Sequence, residues 1–334
     1  GLVPMCMQQY VGAFGTTRIP QPVQDKLVHY ELSESRHIAI LHKGRVFKLR
    51  VLTGSEGKPA SLLQLYDAFE GILRDESPAN TFERQLPALT AWDRTKWAMI
   101  REECFLRNPV NRSALESIER ALLVVSLDDI DYEYTEFTKL GNLYMHGETG
   151  TNRWFDKSAN LIVSPKGYCA INVEHSWADA PCFGHCFELC MARETRLQPY
   201  LPDGHIKEAE EERAKTSSLK PIAAQRVNFQ FPEHLKVAIT EAASYAQALI
   251  DDLDLVVRHY KPYGKNVIKK LKCSPDAFVQ MAMQLAFFRN QGTFVQTYES
   301  AMARLFVDGR TETIRSCSKE SCEFVKAMLD PNVP

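Results

Sequence analysis

Two stretches of this chain hold residue types able to do chemistry, and a third is suited to holding a small polar ligand. The first is Val173-Glu174-His175-Ser176-Trp177-Ala178-Asp179-Ala180-Pro181, where an imidazole has a carboxylate four positions on. A neutral imidazole near its ordinary pKa can take a proton from an alcohol or thiol near neutral pH, the task of a general base. A lone histidine in an arbitrary chain is more often a hydrogen-bonded core residue. Here an apolar strand gives way to polar and small residues, which shifts the weight toward a cleft. Asp179 either orients the imidazole or forms a structural ion pair with an arginine elsewhere, and the second is favoured because its position suits a helix cap. No second histidine lies at ligand spacing from His175, because His185 is ten residues on across a helix start, so no metal is expected.

The second stretch runs from Tyr263 to Asp276, with four lysines (Lys265, Lys269, Lys270 and Lys272) within eight residues. Gly264 permits close backbone approach at one end. Ser274 as cap and Pro275 at the first helical position start a helix at the other. Lysines beside the unpaired N–H groups of a helix start make a phosphate site, and the residues alone leave a solvated basic loop equally open. In the third stretch Gly292 ends that helix, and Thr293 to Ser300 alternates as a strand with Phe294, Gln296, Tyr298 and Ser300 on one face. Asp308-Gly309-Arg310-Thr311 then reads as a turn. On the residues alone Tyr298 is a half-buried aromatic and Thr311 a turn residue.

The elements that must position these groups are legible on either side. Asn160–Val163 and Tyr168–Val173 are apolar runs joined by Ser164-Pro165-Lys166-Gly167, a type I turn signal, so they read as a hairpin. After Pro181 a helical stripe of Phe183, Cys186, Phe187 and Cys190 begins, which sets His175 at a strand-to-helix junction. Upstream, His37–Leu41 and Arg45–Val51 flank Lys43-Gly44 as another hairpin. Ser61–Leu73 and Asp93–Leu106 read as helices, the first with Leu62, Leu65, Phe69 and Ile72 on one face. Ser113 to Glu116 matches a capping box opening a third helix, followed by a strand at Leu122–Val125. Asp128–Glu136 reads as an acidic surface loop and Asn152–Ser158 as a structural corner. Downstream, Lys207–Lys215 is a solvated mixed-charge stretch and Gln225–Phe231 a strand. Pro232–Tyr260 is a long amphipathic helix with Leu235, Ile239, Ala242, Ala246, Leu249 and Leu253 on one face.

The 334 residues suffice for one large or two medium domains, and 45% apolar with 25% charged content is ordinary for a globular protein. A net charge of −2 gives no general attraction to nucleic acid, so any anion site must be local. Nine cysteines without paired spacing fit a reducing compartment, and Cys182, Cys186 and Cys190 suggest a buried stripe on one helix face. No run approaches the roughly 20 apolar residues that span a bilayer. The start, Gly1-Leu2-Val3-Pro4-Met5, and the end, Met328-Leu329-Asp330-Pro331, read as cuts into a longer protein.

Residues 174–181 resemble the catalytic-histidine signature of the choline/carnitine acyltransferases, His-x-x-x-(Asp/Glu)-(Gly/Ala). The Ser-Trp-Ala-Asp-Ala-Pro continuation is most similar to the type I, outer-mitochondrial-membrane carnitine palmitoyltransferases within that family. Arg153 to Lys157 resembles the family's Arg-Trp-Phe-Asp-Lys run. The Gly-Lys-x-x-x-Lys and Ser-Pro-Asp segments resemble its coenzyme A segment. The likeness implies Lys265 and Lys269 on the 3′-phosphate and Asp276 on the adenine amino group, with Gly264, Lys270 and Ser274 in the same segment. Thr-Tyr-Glu-Ser and Gly-Arg-Thr-Glu-Thr-Ile-Arg-Ser resemble its carnitine-carboxylate site, which implies hydroxyls from Tyr298, Ser300 and Thr311. The arginine and the Ser-Thr-Ser segment that complete the family's site should lie beyond Pro334.

What the resemblance implies is an α/β fold of two chloramphenicol-acetyltransferase-like lobes, mixed sheets flanked by helices. Residues 1–220 would form the lobe with the catalytic histidine, and 221–334 the incomplete start of the second, with the boundary near Leu219–Pro221. The implied reaction moves a long-chain acyl group between coenzyme A and carnitine, with His175 as base, coenzyme A as co-substrate and no permanently bound cofactor. The implied location is the cytosolic face of the mitochondrial outer membrane, held by segments outside this chain. The rival expectations are a short- or medium-chain carnitine or choline acyltransferase, and a truncated form that binds coenzyme A without turnover.

Overall fold

A computed structural model describes residues 3–131, 133–215 and 220–333. It divides into two compact units, one from Gln8 to Val257, the other combining the residues up to Met7 with those from Arg258 onward. The boundary expected near Leu219 falls partly outside the described residues. The strand Gln225–Val227 and the helix Glu233–Asp251 belong to the larger unit.

The larger unit is mixed α/β. Its sheet has six strands in the order Gln225–Val227, Arg45–Arg50, His37–His42, Val124–Leu127, Ala159–Val163, Cys169–Val173. The three central strands run parallel and the outer pairings are antiparallel. Side-chain alternation along the strands divides the core between two faces. Ala39, Leu41, Val46 and Val124 pack with the helices Pro109–Glu119 and Glu233–Asp251. Ile38, Ile40, Phe47, Leu49 and Val125 pack with Ala68 and Ile72 of the helix Leu62–Leu73.

Local chemistry explains most element ends. Lys43 and Gly44, both at positive φ (49° and 73°), make the tight turn between the first two sheet strands. Ser61 and Gln64 form a reciprocal capping box for Leu62–Leu73. The Gly167 N–H donates to the Ser164 carbonyl at 2.9 Å in the expected hairpin turn.

Several expectations are corrected. The third helix starts at Pro109, not at Ser113: the Asn108 side chain accepts from the N–H groups of Val110 and Asn111, and proline at the first position completes a stronger start. The helix expected over Asp93–Leu106 is present, with Arg94–Ile100 continuing through Arg101–Leu106 as a π-helical turn. The long helix stops at Asp251, where Asp251, Asp252 and Asp254 oppose the negative end of its dipole. Leu249 and Leu253, expected on its inner face, are exposed. The cysteine stripe is buried at Cys182, half-buried at Cys186 and exposed at Cys190, since the C-terminal part of the helix Ala180–Leu197 has little packed against it.

In the smaller unit the helix Pro275–Gln291 is capped by Ser274 and ended by Gly292 at φ 70°. Its packed side runs through Phe278, Met281, Gln284, Leu285 and Phe288, while Ala282 is exposed. The strand expected from Thr293 begins only at Glu299, because Phe294 turns back to stack on Phe288 with ring centroids 4.4 Å apart. Glu299–Met302 pairs antiparallel with Thr311–Ile314.

Candidate active site

His175 leaves the last strand of the large sheet two residues after Val173 and stands at the surface, its side chain 75% exposed. What fixes the loop is Glu174. One oxygen of its carboxylate pairs with Arg18 Nη1 at 3.1 Å. The other accepts from the Ser176 N–H at 3.0 Å and the Ser176 hydroxyl at 2.5 Å. The carboxylate thus ties down both neighbours of the histidine and leaves the imidazole outward.

Asp179 lies at the cap position of the helix Ala180–Leu197, yet its carboxylate makes no capping bond. It accepts instead from Gln9 Nε2 at 3.1 Å, while its N–H donates to Gln9 Oε1 at 2.9 Å. Its other oxygen lies 3.9 Å from His175 Nδ1, and its side chain is 12% exposed. A largely buried carboxylate facing Nδ1 favours the tautomer with the proton on Nδ1 and the acceptor lone pair on Nε2. The cap expected of Asp179 is therefore not formed, and the orienting geometry is. Trp177 packs edge-on against Phe183 and lies over Gly12, where an added Cβ would meet the indole Cε3 at 3.0 Å.

Behind Glu174 lies a half-buried ionic network centred on the buried Asp156. Arg18 approaches Asp25 at 3.2 Å and Asp156 at 3.6 Å, and Arg94 approaches each of them at 2.7 Å. Trp97 Nε1 donates to Asp156 at 2.8 Å. Burial pushes the Asp156 carboxyl up to about 6, against the opposing pull of Arg94, Trp97 and Arg18. The Arg153-to-Ser158 run is the structural corner expected. Arg153 is fully buried on Asp128 through two 2.8 Å contacts, which also removes Asp128 from the acidic surface loop expected there. Lys157 donates to Thr17 Oγ1 at 2.9 Å and the Glu119 carbonyl at 2.7 Å, and burial pulls its ammonium down to about 7.

In the smaller unit Gly264 is the cap residue of a short helix, Lys265–Lys270, on which Lys265, Lys269 and Lys270 are all exposed. Ser274 Oγ accepts from the Ala277 N–H at 3.4 Å. Ser274 and Asp276 line a cavity of about 690 Å³ together with Glu299, Ser316 and Phe324; none of the three lysines is in that lining. The Glu299 carboxyl is raised above its ordinary value by its hydrogen bond with Asp276. Across the hairpin the register pairs Ser300 with Thr313 and Met302 with Thr311, which sets Ser300 and Thr311 on one face. Tyr298, 64% exposed, immediately precedes that strand. Glu299 points to the opposite face, toward Asp276.

The profile described as Choline/Carnitine O-acyltransferase matches residues 2–334. The chain belongs to this family. Among its relatives are the muscle isoforms of carnitine O-palmitoyltransferase 1 from Sus scrofa, 42% identical over 99% of this chain, and from Rattus norvegicus, 44% identical over 98%. The mitochondrial carnitine O-palmitoyltransferase 2 of Macaca fascicularis is 34% identical over 94% of the chain. The chain spans 42% of the length of the first two and 45% of the third.

Within this chain, sequence reasoning missed four residues that shape the candidate sites: Gln9, Arg18, Glu174 and Glu299. Glu299 carried a signal, since strand alternation between Tyr298 and Ser300 turns it to the Asp276 side. Gln9 and Arg18 carried none, standing 170 and 156 residues from their partners.

Proposed function

We propose that the chain is the histidine- and nucleotide-carrying section of a carnitine O-palmitoyltransferase, transferring a long-chain acyl group between coenzyme A and carnitine. The observation that carries this reading is the exposed His175 imidazole with the half-buried Asp179 carboxylate 3.9 Å from Nδ1, inside a chain of this family. His175 Nε2 removes the proton of the carnitine hydroxyl in one direction and of the coenzyme A thiol in the other. The resulting nucleophile attacks the acyl carbonyl, and Asp179 holds the ring and stabilises the imidazolium that forms. Lys265 and Lys269 hold the 3′-phosphate, with Gly264, Lys270 and Ser274 around it, and Asp276 with Glu299 takes the adenine amino group. Tyr298, Ser300 and Thr311 donate to the carnitine carboxylate. The long-chain preference rests on the relatives' names, and the reading extends to two chloramphenicol-acetyltransferase-like lobes divided near 220/221. It also extends to the outer mitochondrial membrane, reached through segments outside this chain. No helix among the described residues is long and apolar enough to cross a membrane.

In the full-length enzyme, His175→Ala is expected to lower palmitoyl transfer by about 10²–10⁴-fold or more with melting unchanged. Transfer at the wild-type rate refutes the base. Palmitoyl-coenzyme A is expected to react faster than acetyl-coenzyme A, and the reverse order assigns the chain to the short-chain branch.

A further inference from the structure

The nine cysteines are all free thiols, and two of them meet. Cys317 Sγ and Cys322 Sγ lie 3.7 Å apart, both half-buried. Cys317 sits just before the helix Lys319–Ala327, and Cys322 is in its first turn. Ser318 between them is the helix cap, bonded reciprocally with Ser321, so the helix start that separates the two sulfurs is fixed. The Cys317 N–H donates to Thr297 Oγ1 at 2.9 Å, and that hydroxyl also contacts Ser316 Oγ at 3.0 Å, which fixes the other side.

We infer that Cys317 and Cys322 form a reversible dithiol–disulfide couple, a redox modification site at the base of the Glu299–Ile314 hairpin. A disulfide needs the sulfurs about 2.05 Å apart, a closure of under 2 Å that side-chain rotation can supply without moving either backbone anchor. A metal site is a poorer account of the pair, since no cluster of three or more metal-ligating side chains occurs among the described residues.

The order of attack follows from the surroundings. Cys322 lies near the start of the helix Lys319–Ala327. Burial pushes the Cys317 thiol up, and Cys322 beside it adds to that. Cys322, having given its proton to solvent, attacks one sulfur of a small-molecule disulfide such as glutathione disulfide. A mixed disulfide forms and one thiolate leaves. Cys317, deprotonated in turn, attacks the Cys322 sulfur; the internal bond forms and the second thiolate leaves. Two electrons pass to the oxidant, which becomes two thiols on taking up the two protons. Cys317 also lines a cavity of about 280 Å³ with Thr297 and Tyr298. Cys104 offers the contrast: it is buried, and its thiol is pushed up to about 11.

The test equilibrates the full chain in glutathione buffers of graded ratio, quenches it in acid, alkylates free thiols under denaturing conditions and maps the peptides. The 317–322 link is expected in the folded protein at a disulfide-to-thiol ratio at least about tenfold lower than in the same chain unfolded in urea. Dithiothreitol should reverse it, and Cys317→Ser and Cys322→Ser should each abolish it while leaving the other seven cysteines alkylated. Two results overturn the assignment: both cysteines still alkylated at excess glutathione disulfide, or folded and unfolded chains needing the same ratio. The comparison of folded with unfolded wild type keeps the test decisive even where a serine variant folds poorly.

Discussion

The histidine loop and the Ser300/Thr311 hairpin are held in opposite ways. The loop rests on charges buried behind it: Glu174 on Arg18, Arg18 on Asp156, and Asp156 on Arg94 and Trp97. The hairpin and the lysine segment rest on local devices, a cap at Ser274, a left-handed Gly292 and a second cap at Ser318, with most of their side chains in solvent. The proposed proton-transfer group is oriented by interactions spread across its unit, whereas the groups proposed to bind phosphate and carboxylate stand on short, locally fixed pieces.

Substitutions can break or sharpen that contrast. The largest effect is expected at Arg153→Met, which strands the buried Asp128. It should cost about 3–5 kcal/mol of stability in urea unfolding. A loss under about 1 kcal/mol would remove the claim that buried charge holds this side of the molecule. Glu174→Gln comes next, weakening the Arg18 pair and the Ser176 turn. A stability loss of about 1.5–3 kcal/mol is expected, with a fall in turnover at unchanged coenzyme A affinity. Turnover kept intact would show that the loop needs no such brace.

A pH series isolates Lys157. Its folded pKa of about 7 lies below the ordinary 10.5, so the unfolded chain holds more protons between those values. Stability should therefore rise with pH across that window, by up to about 1.4 kcal/mol per unit, and fall as pH drops toward 7. Lys157→Met should flatten this slope, and an unchanged slope would assign it to another group. The smallest change is expected for Lys265→Ala or Lys269→Ala. Each should weaken coenzyme A binding about tenfold with melting unchanged, while dephospho-coenzyme A binds as before. A loss of melting temperature there would erase the contrast.

Much of the frame was legible because its signals are local. The Lys43-Gly44 turn, the Ser61–Gln64 box, the Ser164–Gly167 turn, and Ser274 with Pro275 each act within a few residues. Where two local signals competed the weaker was read, as at Ser113 against Asn108-Pro109. The bracing of the histidine was not legible, because Arg18, Asp156 and Glu174 are ordinary charged residues until folding brings them together. Asp179 illustrates the same limit. Its position matched a helix cap, yet the tertiary partner Gln9 turned its carboxylate away from the helix and toward the ring.

The indole of Trp177 seated on Gly12 has a consequence for how the chain can vary. A methyl group at position 12 would push against the ring, which must yield by a few tenths of an ångström. The ring is two residues from His175, so the displacement passes directly into the segment that sets where the imidazole stands. Proton transfer depends steeply on such placement. The smallest side chain in the molecule thus acts as the datum from which the histidine loop is levelled.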